Sequence, residues 1–213
     1  MKVITHTFPV YSFDELDDAA KENAKKWYLD DDLRGEFLHD DILENLNRLF
    51  PNSDLKVCFS LGYCQGDGLN VYGTIKFTDF LKVDERARSN VFKNYTKKEL
   101  KRLEFYFKYF NEYTFNNDGR YCYSHKFIDK KYEDQTIAKY TDELEYNGIR
   151  DIDYYLIDRF FCDLLEWFTE YDSDMETSGY KYLYEIEDEE MQEICDANDW
   201  TFLEDGTFYD GGF

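Results

Sequence analysis

The sequence contains few of the residues that break or cross-link a chain. It has 2 prolines and 11 glycines in 213 residues. Because such a chain has little material for linkers, we predict one α+β domain spanning residues 1–213. Its 5 cysteines are an odd number and form no Cys-x-x-Cys pair, which favours free thiols over disulfides or a zinc site.

Long apolar runs and catalytic spacings are also missing. No stretch approaches the roughly 18 uninterrupted apolar residues of a membrane span, and the first residues lack the pattern of an export signal. We therefore expect a cytoplasmic protein with no membrane partner. Its 3 histidines stand in unrelated contexts, so the sequence predicts a non-enzymatic protein that needs no cofactor.

Basic residues are scarce in the last third of the chain. Residues 134–213 carry 24 acidic and 4 basic side chains, a net charge of -20 out of -22. Aromatic residues make up 20% of the chain, which indicates a folded acidic region rather than a disordered tail. Because this field repels nucleic acid, we expect no direct nucleic-acid binding and a basic protein partner. The mildly basic residues 82–113 would balance acids of the same fold or of a second copy, which leaves a homodimer open.

Patterning predicts helices interspersed with antiparallel strands. The predicted helices cover residues 12–28, 37–50, 82–113 and 188–197, with another that begins at residue 153. The predicted strands cover residues 55–63, 69–77, 121–127, 180–185, 201–203 and 207–209. Since strands and helices do not alternate regularly, the fold class is α+β, with an antiparallel sheet of hairpins packed against several helices.

The helix that begins at residue 153 combines an apolar stripe with a line of carboxylates about half a turn away. Neighbours in this line stand about 5–6 Å apart, so it could imitate nucleic-acid phosphates. A solvated face that keeps the protein soluble is the alternative. The predicted partner-binding residues are acids and tyrosines of the acidic region: Asp163, Glu166, Glu170, Tyr171, Asp174, Tyr184, Glu187, Asp188, Glu189 and Glu190.

The loop Gln65, Gly66, Asp67 and Gly68 between two predicted strands is the most distinctive local string. Its glycines favour a tight turn, although they would also allow close approach of a ligand, and an enzyme using Asp67 is a third hypothesis. Residues 172–176 begin like an EF-hand loop, but Thr177 replaces the required glycine and Leu183 the bidentate Glu. We therefore expect no metal site.

Three segments carry a family resemblance. They are residues 10–16 with the helix ending in Trp27 and Tyr28, residues 59–73 around the glycine-rich loop, and residues 198–202 with Asp205 and Gly206. Together they resemble small phage and prophage proteins that are loosely labelled as the antitoxin of a toxin-antitoxin stability system. Cys64 stands where this family is expected to have serine.

The resemblance implies a phage protein acting in the host cytoplasm. Combined with the acidic face, it leads us to expect a non-enzymatic inhibitor of a host nucleic-acid-dependent defence enzyme. The partner would be a Cas effector or a restriction enzyme, whose basic groove the acidic face would occupy (anti-CRISPR or anti-restriction). The alternative is an antitoxin-like regulatory module that binds a basic protein.

Overall fold

Helices dominate the described part of the chain, and two small antiparallel sheets supply the strands found there. The computed structural model describes residues 7–115 and 130–211, and only the backbone of residues 130–135. The helices are α1 (Asp18–Leu29), α2 (Arg34–Leu49), α3 (Phe77–Phe80), α4 (Val83–Ala87), α5 (Lys97–Tyr106), α6 (Lys130–Tyr146), α7 (Tyr154–Tyr184) and α8 (Asp188–Asn198). The strands are β1 (Asp54–Ser60), β2 (Gly68–Lys76), β3 (Glu112–Phe115), β4 (Thr201–Phe202) and β5 (Phe208–Tyr209). The predicted α+β class is confirmed.

Residue contacts divide the chain into two units. Met1–Phe37 and Tyr180–Phe213 make one, which we call the terminal unit. Leu38–Gly179 make the other, the central unit. Both boundaries along the chain fall inside helices, α2 and α7.

The central unit is built on the sheet β1-β2-β3, in which both pairings are antiparallel. Its aromatic core joins α7 to this sheet and to α3, which directly follows β2. Phe168 of α7 lies with its ring centroid 5.1 Å from that of Phe115, and Phe161 lies 5.5 Å from Phe77. The predicted apolar stripe of α7 is therefore the buried face, and the acids of the helix are exposed or half-buried except Asp172, which is buried.

Gly73 allows β2 to lie between its two neighbouring strands. It pairs with Leu55 of β1 and with Phe115 of β3, at a φ of 112°. A Cβ at this position would stand 2.2 Å from the backbone oxygen of Asp54, so only glycine fits without moving the backbone.

The terminal unit has its own small core. It is formed by buried side chains of α1, α8 and the β4–β5 hairpin: Phe13, Leu16, Ala20, Ala24, Met191, Cys195 and Phe202. Tyr11 forms an antiparallel bridge to Phe202, and Trp27 stacks on Phe208 at 4.1 Å between ring centroids. The predicted hairpin around Gly206 is confirmed, as is the helix that precedes it.

The first predicted helix begins later than expected. The capping box of Ser12 and Glu15 is present, but it closes the single 3-10 turn Phe13–Glu15. Asp17 then caps α1 by accepting a hydrogen bond from the Ala20 N–H at 2.8 Å. The 3-10 turn and α1 therefore each begin with a cap of their own.

The prediction of one long helix over residues 82–113 was wrong. The chain leaves α4 at Arg88, whose φ of 57° is left-handed and ends a helix. After the 3-10 turn Val91–Asn94, Thr96 and Glu99 form a second capping box that begins α5. The local structure at these positions ends one helix and begins another, although the pattern of polar and aromatic residues is continuous across them.

The prediction of a strand over residues 180–185 was also wrong, because α7 continues to Tyr184. Gly179 does not interrupt the helix, and its missing side chain leaves room for Leu61, whose Cδ1 would lie 2.7 Å from a Cβ there. Helix α6 was not predicted. The predicted strand over residues 121–127 lies outside the described residues.

Candidate partner-binding cleft

The four predicted carboxylates of α7 line one cleft. The cleft belongs to the central unit and has a volume of about 500 Å³. Its lining comes from two segments, one face of α7 and the chain after α4: Asp163, Glu166, Trp167, Glu170, Tyr171 and Asp174, with Ala87, Ser89, Asn90, Val91 and Lys93. The structure thus brings five of the ten predicted partner-binding residues together.

A single carboxylate holds the segment after α4 in place. Asp84 accepts hydrogen bonds from Ser89 Oγ at 2.6 Å, Val91 N at 2.7 Å and Phe92 N at 2.8 Å. Three donors on one ionised group make a strong local restraint. Residues 89–91, which line the cleft, are therefore preorganised.

Asp163 is already engaged within the protein. Its Oδ2 accepts a hydrogen bond from the Tyr95 hydroxyl at 2.5 Å. Burial, followed by this bond to a carboxylate, raises the pKa of Tyr95, so the phenol stays protonated as the donor. The Arg159 guanidinium lies 3.9 Å from the Tyr95 ring centroid and donates to Glu99 Oε1 at 2.8 Å. Asp163 therefore belongs to an internal polar cluster at the edge of the cleft.

The other three carboxylates of the cleft have no partner among the described residues. Glu166, Glu170 and Asp174 are exposed and form neither a hydrogen bond nor an ion pair there. Asp79 shows the contrast, since its buried carboxylate accepts from Asn52 N at 2.7 Å and from Ser53 Oγ at 3.0 Å. The structure uses other acids to hold its turns and leaves these three available to solvent.

Two aromatic rings complete the lining of the cleft. Trp167 and Tyr171 are stacked, with centroids 5.2 Å apart and planes 14° from parallel. Both are half-buried. Burial is the main reason that the pKa of the Tyr171 phenol is raised, so this ring is neutral at neutral pH. The cleft therefore presents neutral aromatic surface beside exposed negative charge.

The remaining predicted residues lie elsewhere. Tyr184, Glu187, Asp188, Glu189 and Glu190 belong to the terminal unit, at the end of α7 and the start of α8. Asp188 is paired with Lys25 at 2.7 Å, and this bond lowers the pKa of the Asp188 carboxyl. Glu187, Glu189 and Glu190 are exposed. Acids in the first turn of α8 also interact favourably with the helix dipole.

The glycine-rich loop forms a tight turn between β1 and β2. Asp67 accepts hydrogen bonds from Cys64 N at 2.9 Å and Ser60 Oγ at 2.9 Å, and Gly66 has a φ of 99°. The Cys64 thiol also donates to Asp67 at 3.0 Å, a bond that raises the pKa of this thiol. The contacts of Asp67 therefore support the turn interpretation of Gln65, Gly66, Asp67 and Gly68.

Sequence reasoning missed Trp167, the internal cluster around Tyr95, and the segment after α4. Trp167 lies between two of the predicted acids and could have been assigned to their face by helical spacing. Nothing local indicated that residues 87–93 lie beside α7, because this proximity joins parts of the chain far apart in sequence. The hydrogen bond between Tyr95 and Asp163 is likewise a long-range contact.

The chain matches no protein-family model, no curated protein and no solved structure. Among the described helices, none combines the length and the apolar character needed to cross a bilayer. Across residues 7–115 and 130–211, no three His, Cys, Asp or Glu side chains are grouped to hold a metal ion.

Proposed function

We propose that the protein binds the basic nucleic-acid groove of a partner enzyme and thereby inhibits it. The observation that carries the proposal is the cleft of α7, where three exposed carboxylates have no partner among the described residues. Desolvating an acid is costly unless a positive group replaces its water, so a surface of this kind selects a basic partner.

The spacing of these acids supports competition with nucleic acid. Asp163 and Asp174 are eleven positions apart on one helix, or roughly 16 Å along its axis. Four carboxylates over this length give one charge per about 5 Å, against one per 3.4 Å along each strand of duplex DNA. A lysine- or arginine-lined groove that follows phosphates would therefore meet several negative charges in succession.

The family resemblance of the sequence supports a particular class of target. A phage protein with an acidic binding surface would act in the host cytoplasm on a nucleic-acid-dependent defence enzyme, such as a Cas effector or a restriction enzyme. Inhibition requires only occupation of the groove, so the protein acts without catalysis. This is an anti-CRISPR or anti-restriction function.

Capture of the partner followed by competition tests the proposal. The full chain is used to isolate its partner from the infected host, and the purified partner is then bound to its labelled nucleic acid. Addition of the protein should displace the nucleic acid, and displacement should weaken steeply between about 50 and 500 mM salt. A complex in which the nucleic acid stays bound would contradict the proposal.

The same experiment separates the antitoxin-like alternative. A small basic toxin also suits an acidic cleft, but it would be captured without a nucleic-acid groove to compete for. Capture of such a toxin, with restoration of growth when both proteins are expressed, would contradict the inhibitor function and favour the regulatory module.

A further inference from the structure

We infer that the cleft takes an arginine side chain of the partner. Its guanidinium would lie against the Trp167 and Tyr171 rings and donate to the carboxylates of Glu166, Glu170 and Asp174. The inference rests on the proposed function, because it names the chemical group by which the partner is recognised.

The spacing of the carboxylates suits an extended donor better than a compact ion. Glu166 and Glu170 are four residues apart on α7, as are Glu170 and Asp174, so their Cβ atoms are separated by about 5–6 Å. A guanidinium carries five N–H donors in a planar fork and can reach two such acids at once. An ammonium group concentrates its three donors at one point.

The aromatic lining favours a planar cation. Trp167 and Tyr171 border the same cleft as the acids, and Trp is the aromatic residue that attracts cations most strongly. A guanidinium stacks on a ring with little loss of hydration, whereas an ammonium is strongly hydrated. A ring contact of this type strengthens binding roughly 2- to 30-fold.

The chain already uses this arrangement internally. Arg159 lies 3.9 Å from the centroid of Tyr95 while donating to Glu99, and the Tyr95 hydroxyl binds Asp163 of the cleft. In the terminal unit, Arg34 lies 4.8 Å from the ring centroid of Tyr28 and donates to the Tyr182 carbonyl. Aromatic rings beside a guanidinium are thus a stable packing mode for this fold.

Lys93 limits where the arginine can lie. It is the basic residue in the lining, and it forms no ion pair within the described residues. Its ammonium repels a second cation, which favours a position on the α7 side of the cleft. The occupant is therefore expected to contact Trp167 rather than the residues after α4.

Two peptides that differ only in their cation test the inference. The full chain is titrated with matched short peptides carrying arginine or lysine at the same positions. Its 3 tryptophans supply three indole N–H signals, and the signal lost in Trp167→Phe identifies Trp167. We expect about fivefold tighter binding of the arginine peptide, with the largest shift at the Trp167 signal.

Variants of the aromatic ring and of the carboxylates make the test more specific. Trp167→Leu should reduce the arginine preference to less than about twofold. The double variant Glu166→Gln with Glu170→Gln, at exposed positions, should weaken the binding of both peptides. Equal affinity of the two peptides, or a largest shift at Trp27 or Trp200, would overturn the inference.

The outcomes also separate this inference from the proposed function. If the peptides bind equally while neutralising the cleft acids still prevents competition with nucleic acid, only the arginine assignment fails. If the arginine peptide is preferred but the protein leaves the nucleic acid bound to the captured partner, the cleft binds arginine and the proposed function fails.

Discussion

Asp172 accepts a hydrogen bond from the backbone N–H of Val71 through Oδ1 at 3.2 Å, and it is completely buried. Val71 lies in β2 beyond Gly73–Lys76, the residues that pair with β3 in the described part of the sheet. A side chain of α7 therefore satisfies the N–H of a β2 residue for which the described residues of β3 supply no pairing. The second oxygen, Oδ2, has no hydrogen-bond partner within the described residues.

Burial raises the pKa of Asp172 to about 9, with a smaller contribution from the Glu176 charge. Because the folded-state pKa lies above the unfolded value near 3.8, the folded state holds the proton more tightly. The associated stability is fully present below about pH 4 and is lost as the pH rises through about 9. We expect Asp172→Asn, which cannot ionise, to remove this dependence.

Urea unfolding at several pH values measures this effect. Relative to the parent, Asp172→Asn should gain on the order of 2 to 5 kcal/mol in free energy of unfolding between pH 4 and pH 8. Asp174→Asn, at an exposed position two residues away, is the matched control and should change the slope little. A parallel pH dependence for the parent and Asp172→Asn would contradict the assignment.

Gly73→Ala should disrupt the central sheet. The new Cβ would meet the Asp54 backbone oxygen at 2.2 Å, and a φ of 112° is strained for alanine. We expect a loss of about 3 kcal/mol or more in free energy of unfolding, or failure to fold. Gly35→Ala in α2 is the control, because nothing beyond its chain neighbours and the backbone of its own helix lies within 4 Å of its Cβ position, and a similar loss there would contradict the argument.

Asp84→Ala should loosen the segment that lines the cleft after α4. The Val91 and Phe92 N–H groups would lose their acceptor, so their hydrogen exchange should accelerate, by about tenfold for each ~1.4 kcal/mol lost. Glu85→Ala removes a neighbouring exposed acid and should leave both amides protected. Unchanged exchange in Asp84→Ala would show that other contacts hold this segment.

The site was more predictable than the chain that surrounds it. Asp163, Glu166, Glu170 and Asp174 could be placed on one face because an amphipathic helix orders its residues by local spacing alone. The helix over residues 82–113 was wrongly predicted because its end depends on features that local spacing does not show. Its break at Arg88 depends on a left-handed φ and on hydrogen bonds to Asp84, which polarity patterns do not encode.

The hydrogen-bond partners of individual side chains could not be predicted from the sequence pattern. Asp163 and Glu166 look alike in sequence, yet only Asp163 binds the Tyr95 hydroxyl. Asp172 also belongs to the acidic region, but it is buried against β2 and does not line the cleft. Net charge therefore overstates how many acids are available to a partner, because some of them form hydrogen bonds that hold the fold.

The cleft itself is tested most directly by comparing two triple variants that remove the same charge. The cleft variant is Glu166→Gln, Glu170→Gln and Asp174→Asn. The control is Glu104→Gln, Asp142→Asn and Asp158→Asn, at exposed positions of the central unit that do not line the cleft. Binding of each to the captured partner enzyme is measured at about 100 mM salt.

We expect the cleft variant to lose affinity by about 30-fold or more and the control to lose less than about threefold. Equal losses in the two variants would show that net charge, and not the cleft, attracts the partner. Unchanged affinity of the cleft variant would place the binding surface elsewhere on the protein.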